Sequence, residues 1–257
     1  MISLRFLLAA LLIVTGSKMG RAETVAIAAA SDLVYCLDDL NKTYRETHPD
    51  TELKVSTGSS GNFFAQIKNG APFDVFLSAD VSYPQALIDA GLADQASLSI
   101  YAVGRIVLWT NKENLNITAG LSALTGSDFK KVAIANPEHA PYGKAAKAAL
   151  EHDKLWDAVK DKLVLGDNIS QTAQFIQTGS ADAGVVALSL VLAPNLAKVG
   201  HWVEIPADSY PPLKQAVVIT NKGTANPAAA GYLTFLRSSE ARVIFDKFGF
   251  TLPKETP

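Results

Sequence analysis

The sequence predicts an α/β fold in which mostly parallel sheets are flanked by helices. Two observations carry this prediction. Short apolar runs of strand length alternate with segments of helical periodicity, in the order strand, helix, strand, helix, strand, helix, from Thr24 to Ala90. The alternation begins again at Lys131 and continues to Ala187. The chain therefore contains two α/β units, each expected to form its own sheet.

The first 22 residues are predicted to be a secretory signal peptide. Arg5 precedes an apolar run over residues 6–14, and Gly20 and Ala22 are small residues at −3 and −1 of a cleavage site. The apolar run is too short for a comfortable membrane span. We therefore expect an exported protein whose folded part begins at residue 23.

Charge and cysteine content narrow the class of protein. Cleavage removes three of the 23 basic residues and leaves 20 against 25 acidic ones, a net charge of −5. This net negative charge does not favour binding to nucleic acid or to an anionic membrane. The lone Cys36 cannot form an internal disulfide, and it shares the apolar face of a helical pattern with Leu33 and Leu37, so we predict that it packs in the core.

The first α/β unit places serines where strands meet helices. Ser31 follows the first apolar run and Ser60 follows the second, and Ser78 ends the third. Because ligands of parallel sheets gather at the carboxyl ends of strands, these serines are candidate binding residues. The predicted strands of this unit are 24–30, 53–56 and 74–77, and the predicted helices begin at 31, 61 and 84.

The second unit repeats the arrangement. A long apolar run over 101–109 is predicted to be a strand that leaves the first unit. Pro137, Pro141 and Gly143 make a stiff loop that leads into a helix start. The remaining predicted elements are strands 131–135, 162–165, 183–187, 201–205 and 216–219, and helices 144–152, about 169–177 and a single long helix 227–247.

Four strand-to-helix junctions carry the candidate site: Ser31, Ser60, Tyr142 and Ile169. A helix start has unpaired backbone N–H groups and the positive end of the helix dipole, which suit an anion. No lysine or arginine lies between Thr57 and Ile67. If the two units face each other, all four helix starts can point at one small anion between them.

Seven segments spread along the chain form a combined pattern. They are Ala28-Ala29-Ala30-Ser31-Asp32-Leu33, Ser59-Ser60, Gln66-Ile67, Gly70-Ala71-Pro72, Asp74-Val75-Phe76-Leu77-Ser78-Ala79-Asp80, Asn136-Pro137-Glu138-His139-Ala140-Pro141-Tyr142-Gly143 and Phe245-Asp246-Lys247-Phe248-Gly249-Phe250. In these segments the chain resembles the periplasmic molybdate-binding proteins of ABC-type uptake systems. The resemblance spans essentially the whole chain after the signal peptide, in order and at compatible spacing.

The resemblance implies a two-lobed binding protein with the ligand cleft between the lobes. The first lobe would comprise 23–104 plus 213–257, and the second 105–212. The protein would be a monomer that captures molybdate or tungstate and delivers it to a membrane permease, without enzymatic activity, cofactor or directly coordinated metal. By position, Ser31 and Ser60 would each donate a hydroxyl and a backbone N–H, and Tyr142 and Ile169 would donate backbone N–H groups.

One position departs from the family. Its members can have a tyrosine hydroxyl where this chain has Ala187. We hypothesise that the Tyr142 hydroxyl turns inward to replace it; an absent bond and a bridging water are the alternatives. We also expect no carboxylate acceptor in the site, which would disfavour a ligand that still carries a proton. Sulfate would then be rejected by the size of the cavity, and molybdate and tungstate would bind alike.

Other functions remain as alternatives. A binding protein for another tetrahedral oxyanion, such as sulfate, fits the same constellation. A serine hydrolase is a remote alternative, because Gly58-Ser59-Ser60-Gly61 lacks the G-x-S-x-G spacing of a nucleophile turn. A transition-metal site is unsupported, since the histidines are far apart in sequence.

Overall fold

The computed structural model describes residues 23–252, and the predicted signal peptide lies outside this range. The described chain forms two five-stranded sheets with helices packed against them. The strands are β1 (Glu23–Ala30), β2 (Thr51–Gly58), β3 (Val75–Ser78), β4 (Ser99–Gly104), β5 (Ile106–Thr110), β6 (Val132–Ala135), β7 (Leu163–Gly166), β8 (Ala183–Ala187), β9 (His201–Glu204) and β10 (Leu213–Ile219). The helices are α1 (Val34–Thr47), α2 (Ser60–Lys68), α3 (Ser82–Asp89), α4 (Pro141–His152), α5 (Trp156–Val159), α6 (Ile169–Gln177), α7 (Leu188–Val191), α8 (Pro227–Leu236) and α9 (Ser239–Lys247).

Both sheets are mixed and share one design. The first has the order β2-β1-β3-β10-β4, and the second β7-β6-β8-β5-β9. In each, three strands pair in parallel around β1 or β6, and antiparallel strands complete the sheet. Parallel pairing brings the carboxyl ends of those strands to one edge, where a ligand site can form. We call the part built on the first sheet the first lobe and the part built on the second sheet the second lobe.

The chain passes between the lobes at the end of β4. The sequence predicted one strand over 101–109, and this was wrong: β4 ends at Gly104, and β5 begins at Ile106 in the other sheet. The break at Arg105 lets one continuous apolar run serve two cores, because β4 pairs with β10 and β5 pairs with β8 and β9. Hydrophobic periodicity does not reveal such a change of partner.

Each lobe has its own hydrophobic core. Trp109 is the largest fully buried side chain of the second lobe, while Tyr232 and Phe245 of the first pack against β1 and α1. Cys36 is fully buried in the first core, as predicted. Among residues 23–252, no helix has the length and apolar character needed to cross a membrane.

The predicted helix over 227–247 is two helices in the structure. α8 ends at Leu236 and α9 begins at Ser239. Ser238 has extended backbone angles, and its hydroxyl accepts a hydrogen bond of 3.2 Å from the N–H of Ala241. A serine that satisfies a free N–H of the next helix is an N-cap, so it separates two helices of similar composition.

Candidate anion-binding site

A small cavity lies between the two lobes. The first lobe contributes the ends of β1 and β2, the segment after β3 and the start of α2; the second contributes the starts of α4 and α6. Its volume is about 10 Å³, close to what one water molecule needs, so the lobes must part slightly to admit any solute larger than water. The residues that line it are Ala30, Ser31, Asp32, Gly58, Ser59, Ser60, Ala79, Ala140, Pro141, Tyr142 and Ile169.

The structure brings all four sequence-predicted site residues together in this cavity. Ser31 opens the helical turn after β1, and Ser60 is the first residue of α2. Tyr142 is the second residue of α4, which begins at Pro141 and not at Lys144 as the sequence suggested, and Ile169 is the first residue of α6. All four are buried, with at most 3% of their surface exposed.

The first turn of α2 leaves one backbone N–H for a ligand. The N–H of Gly61 donates to the carbonyl of His139 at 3.0 Å, and the N–H of Asn62 donates to the Ser59 hydroxyl at 3.3 Å. The N–H of Phe63 donates to the Ser59 carbonyl. Within residues 23–252, the N–H of Ser60 is the one in this turn that has no protein acceptor.

The first turn of α6 likewise leaves one backbone N–H for a ligand. Asn168 is the N-cap, and its side chain accepts from the N–H of Gln171 at 3.0 Å. The N–H of Thr172 donates to the Asn168 carbonyl, and that of Ser170 donates to the Ser31 hydroxyl at 3.4 Å. In the described chain, the N–H of Ile169 is left without a protein acceptor.

At α4 the sequence itself removes one of the free N–H groups of the first turn. Pro141 occupies the first position and has no N–H. The N–H of Lys144 already donates to the Ala140 carbonyl at 3.0 Å. The N–H of Tyr142 therefore belongs to the free first turn of a twelve-residue helix that points at the cavity.

Two serine hydroxyls are oriented by accepting backbone N–H groups. The Ser60 hydroxyl accepts from the N–H of Ala79 at 2.9 Å, and the Ser31 hydroxyl accepts from the N–H of Ser170. Neither hydroxyl donates to any acceptor in residues 23–252. Since a hydroxyl has one proton to donate, both protons remain available to a ligand that only accepts hydrogen bonds.

The lining residues include no lysine, arginine or histidine. Positive potential in the cavity comes from the amino-terminal ends of α2, α4 and α6, each with the partial charge of its dipole. Dipoles and N–H groups held by helices are fixed in place, so they favour an anion of defined shape. Among the described residues, no cluster of histidine, cysteine, aspartate and glutamate could hold a metal ion.

Sequence reasoning missed Asp32, and the expectation of a site without a carboxyl group was wrong. Asp32 lines the cavity and is 1% exposed. Its Oδ2 accepts hydrogen bonds from the Tyr142 hydroxyl at 2.9 Å and from Gln215 Nε2. Burial raises the pKa of Asp32 to about 6, although the bonds from Gln215 and Tyr142 oppose the rise. Asp32 stands beside Ser31 in the sequence, but nothing in the pattern showed which way it would point.

The structure also corrects the hypothesis about the Tyr142 hydroxyl. That hydroxyl donates to Asp32 and accepts from Gln215 Nε2 at 2.9 Å, so it is already occupied. Burial raises the pKa of Tyr142 well above its ordinary value, which keeps the hydroxyl protonated as a donor. It packs against Gly104, where any Cβ would collide with it. Ala187, which replaces the tyrosine of the family pattern, is fully buried and does not line the cavity.

Several contacts across the cleft show that the lobes are closed on each other. The N–H of Gly61 bonds to the His139 carbonyl, as described above, and the Ser59 hydroxyl lies 3.0 Å from Nδ1 of the same histidine. At the rim, Lys144 Nζ donates to the Tyr83 hydroxyl at 3.0 Å. The cavity therefore lies where the surfaces of the two lobes meet.

Comparison with known proteins identifies the family. Residues 25–251 match the model of the bacterial extracellular solute-binding proteins. The chain is 38% identical to the molybdate-binding protein ModA of Azotobacter vinelandii over 90% of this chain and 91% of that protein. It is 37% identical to ModA of Rhodobacter capsulatus, over 94% of each.

The fold agrees with this match. The structure of the periplasmic molybdate-binding protein of Azotobacter vinelandii superposes with a TM-score of 0.84 at 32% identity, over 90% of this chain and 100% of that one. Both the two-lobed fold and the role of a solute-binding protein without enzymatic activity are therefore as the sequence predicted. This chain belongs to the family of bacterial extracellular solute-binding proteins.

Proposed function

We propose that this protein captures molybdate, and tungstate equally well, and delivers it to an ABC-type permease. The observation that carries the proposal is the convergence of helix starts on one cavity. Ser60, Tyr142 and Ile169 offer backbone N–H groups, and Ser31 and Ser60 offer hydroxyl protons. A fully ionised tetrahedral oxyanion accepts hydrogen bonds through all four of its oxygens, so this set of donors suits it.

The relatives support the choice of oxyanion. Two proteins more than a third identical to this chain are named molybdate-binding proteins, and they align over nearly its whole length. Sulfate has the same charge and shape but is smaller. We infer that the lobes close on molybdate with their donors spaced for its longer bonds, so that not all of these donors reach the oxygens of sulfate. Unmet donors in a closed site cost about 1–3 kcal/mol each.

The cellular role follows from the proposed ligand. We place the protein in the periplasm as a monomer, exported by the signal peptide of residues 1–22. We propose that the lobes divide at 104/105 and 212/213, so that the first lobe comprises 23–104 plus 213–257 and the second 105–212; residues 253–257 lie outside the described range. An open form takes up the anion, the lobes close, and the closed form docks on the permease. No cofactor takes part.

Isothermal titration calorimetry of the ligand-stripped protein with molybdate, tungstate, sulfate and phosphate tests the proposal. We expect one-to-one binding of molybdate and tungstate, with sulfate and phosphate at least about 100-fold weaker, which corresponds to one or two unmet donors. Tight binding of sulfate or phosphate would assign the same site to another oxyanion. Absence of heat with all four would refute oxyanion binding.

A further inference from the structure

The Asp32 carboxyl is the one acidic group in the wall of the cavity, and it is incompletely satisfied. Its Oδ2 accepts two hydrogen bonds, from Tyr142 and from Gln215. Its Oδ1 is buried and has no hydrogen-bond partner among residues 23–252. Buried polar atoms nearly always have a partner, so an unpaired carboxyl oxygen beside an anion cavity calls for an explanation.

The groups that surround this carboxyl are neutral. Gln215 of β10 is held by the Tyr101 hydroxyl of β4, which donates to its Oε1 at 2.9 Å. Cys36 of α1 and Tyr142 of α4 are the other titratable groups that face it, and burial raises the pKa of both. No lysine, arginine or histidine of the described chain pairs with Asp32. A charged carboxylate here is buried without a counter-ion, which is costly.

Closure of the lobes creates much of this environment. Tyr142 belongs to the second lobe, as does Ser189, whose hydroxyl donates to the backbone carbonyl of Asp32 at 2.7 Å. When the lobes separate, both contacts are lost and water reaches the carboxyl, which returns its pKa toward the ordinary value. In the closed form burial raises the pKa of Asp32 to about 6, against the opposing bond from Tyr142, and a dianion in the same cavity raises it further because like charges repel.

We propose that binding of the oxyanion is coupled to the uptake of one proton by the Asp32 carboxyl. The proton comes from solvent and bonds to Oδ1, since Oδ2 already accepts two hydrogen bonds. The bound complex thus holds a neutral Asp32 beside a fully ionised ligand. Protonation also turns Oδ1 from an unpaired acceptor into a hydrogen-bond donor. The oxyanion proposed for this cavity only accepts hydrogen bonds. The inference rests on the proposed function, because it needs an anion in this cavity.

The coupling fixes the sign of the pH dependence. The open form releases the Asp32 proton near the ordinary carboxyl pKa, whereas the closed, loaded form keeps it to a higher pH. Affinity is therefore highest at low pH and falls as the pH rises through the pKa of the loaded form. Where one proton is fully coupled, each unit of pH changes the Kd by up to about tenfold.

Calorimetric titration with molybdate in buffers of different ionisation enthalpy measures the protons taken up. At about pH 7 we expect more than about half a proton per bound anion for the unaltered protein. Asp32→Asn keeps an oxygen that accepts from Tyr142 and Gln215 but cannot titrate, so we expect no uptake. The matched control is Asp80→Asn, which changes a carboxylate of the nearby loop that does not line the cavity, and uptake should persist.

Three results would overturn the proposal. One is an uptake close to zero in the unaltered protein. Another is an equal uptake in the protein and in Asp32→Asn, which would assign the proton to another group. If Asp32→Asn does not fold, the pH profile decides, and a Kd constant between about pH 6 and about pH 8 refutes coupling. Binding without uptake leaves the proposed function intact, whereas absence of binding by all four oxyanions refutes both.

Discussion

The Tyr142 hydroxyl of the second lobe donates a hydrogen bond of 2.9 Å to Oδ2 of Asp32 in the first lobe. The backbone N–H of the same tyrosine lies in the free first turn of α4, at the cavity. One residue therefore has two separate tasks. Its main-chain N–H faces the cavity in which we propose that the anion binds, and its side chain links the closed lobes at a buried carboxyl.

Tyr142→Phe tests the side-chain task. The change removes the bond donated to Asp32 and the bond accepted from Gln215 Nε2, and it leaves the N–H of residue 142 in place. Gln215 Nε2 still donates to Asp32, so the net loss in the closed form is about one hydrogen bond. We expect the Kd for molybdate to rise about tenfold, which corresponds to a loss of roughly 1–1.5 kcal/mol. Calorimetry measures the change, and a double-mutant cycle with Asp32→Ala shows whether the loss runs through Asp32.

The control for this variant is Tyr83→Phe. Tyr83 is a partly exposed residue at the rim of the cleft, and its hydroxyl accepts from Lys144 Nζ across the cleft. We expect it to change the Kd less than about threefold, because exposed polar contacts contribute little. An unchanged Kd in Tyr142→Phe would contradict the role assigned to the hydroxyl. Full additivity in the cycle with Asp32→Ala would show that the two residues act independently.

Ser60→Ala tests the hydroxyl donors. It removes a hydroxyl whose proton is free for the ligand, and it leaves the N–H of Ala79 without its acceptor. Hydrogen bonds to charged groups contribute about 1.5–3 kcal/mol, so we expect a loss of affinity of roughly 10- to 150-fold. Ser78→Ala is the matched control, since Ser78 is also buried at the end of a strand but does not line the cavity. Equal losses in the two variants would argue against a contact between Ser60 and the ligand.

Gly61→Ala tests whether tight binding needs closure. A Cβ at this position would lie 2.5 Å from the His139 carbonyl of the opposite lobe and 2.9 Å from the Tyr83 hydroxyl of its own. The Tyr83 side chain can move away from the new Cβ. The His139 backbone cannot, so the second lobe would stop short of its closed position. We expect an affinity at least about tenfold weaker, since overpacking costs roughly 1–3 kcal/mol. Small-angle scattering should show less compaction with molybdate than in the unaltered protein.

Gly231→Ala is the control for that experiment. Its Cβ would meet the Tyr44 hydroxyl of the same lobe at 3.2 Å and nothing across the cleft. Residue 231 lies inside α8, where alanine is favoured over glycine, so folding should not suffer. We expect the molybdate affinity and the ligand-induced compaction of Gly231→Ala to equal those of the unaltered protein. If Gly61→Ala binds and compacts as the unaltered protein does, the contact between Gly61 and His139 does not limit closure.

Ser238→Ala tests the break between α8 and α9. The substitution removes the hydroxyl that accepts from the N–H of Ala241, and loss of an N-cap typically lowers the free energy of unfolding by about 1 kcal/mol. Denaturant unfolding should show this loss without a change in molybdate affinity, because the cap lies outside the cavity. Ser239→Ala, at the exposed next position, should change stability by less than half as much. Equal stability of the two variants would contradict the cap.

The sequence was sufficient to predict the elements that hold the site. Ser31, Ser60, Tyr142 and Ile169 follow strands and precede helices, and that local order determines where free N–H groups lie. Local signals were enough because each donor belongs to the first turn of its own helix. Their meeting in one cavity needed the assumption that the two units face each other.

What the sequence did not reveal depends on partners that are distant along the chain. Asp32 meets Gln215 and Tyr142 through the tertiary fold, and no local pattern encodes those contacts. The strand break at Arg105 likewise arises from a change of pairing partner inside one apolar run. Periodicity reports which face of an element is apolar, but it does not report which sheet that face covers.

A crystal structure of the protein with tungstate, phased on the anomalous signal of tungsten, tests the central claim most directly. The account predicts one strong peak in the cavity between the lobes. The oxygens around it should lie about 2.7–3.2 Å from the backbone nitrogens of Ser60, Tyr142 and Ile169 and from the Ser31 and Ser60 hydroxyls. A peak outside this cavity, or one whose oxygens are bound by lysine or arginine side chains, would contradict it.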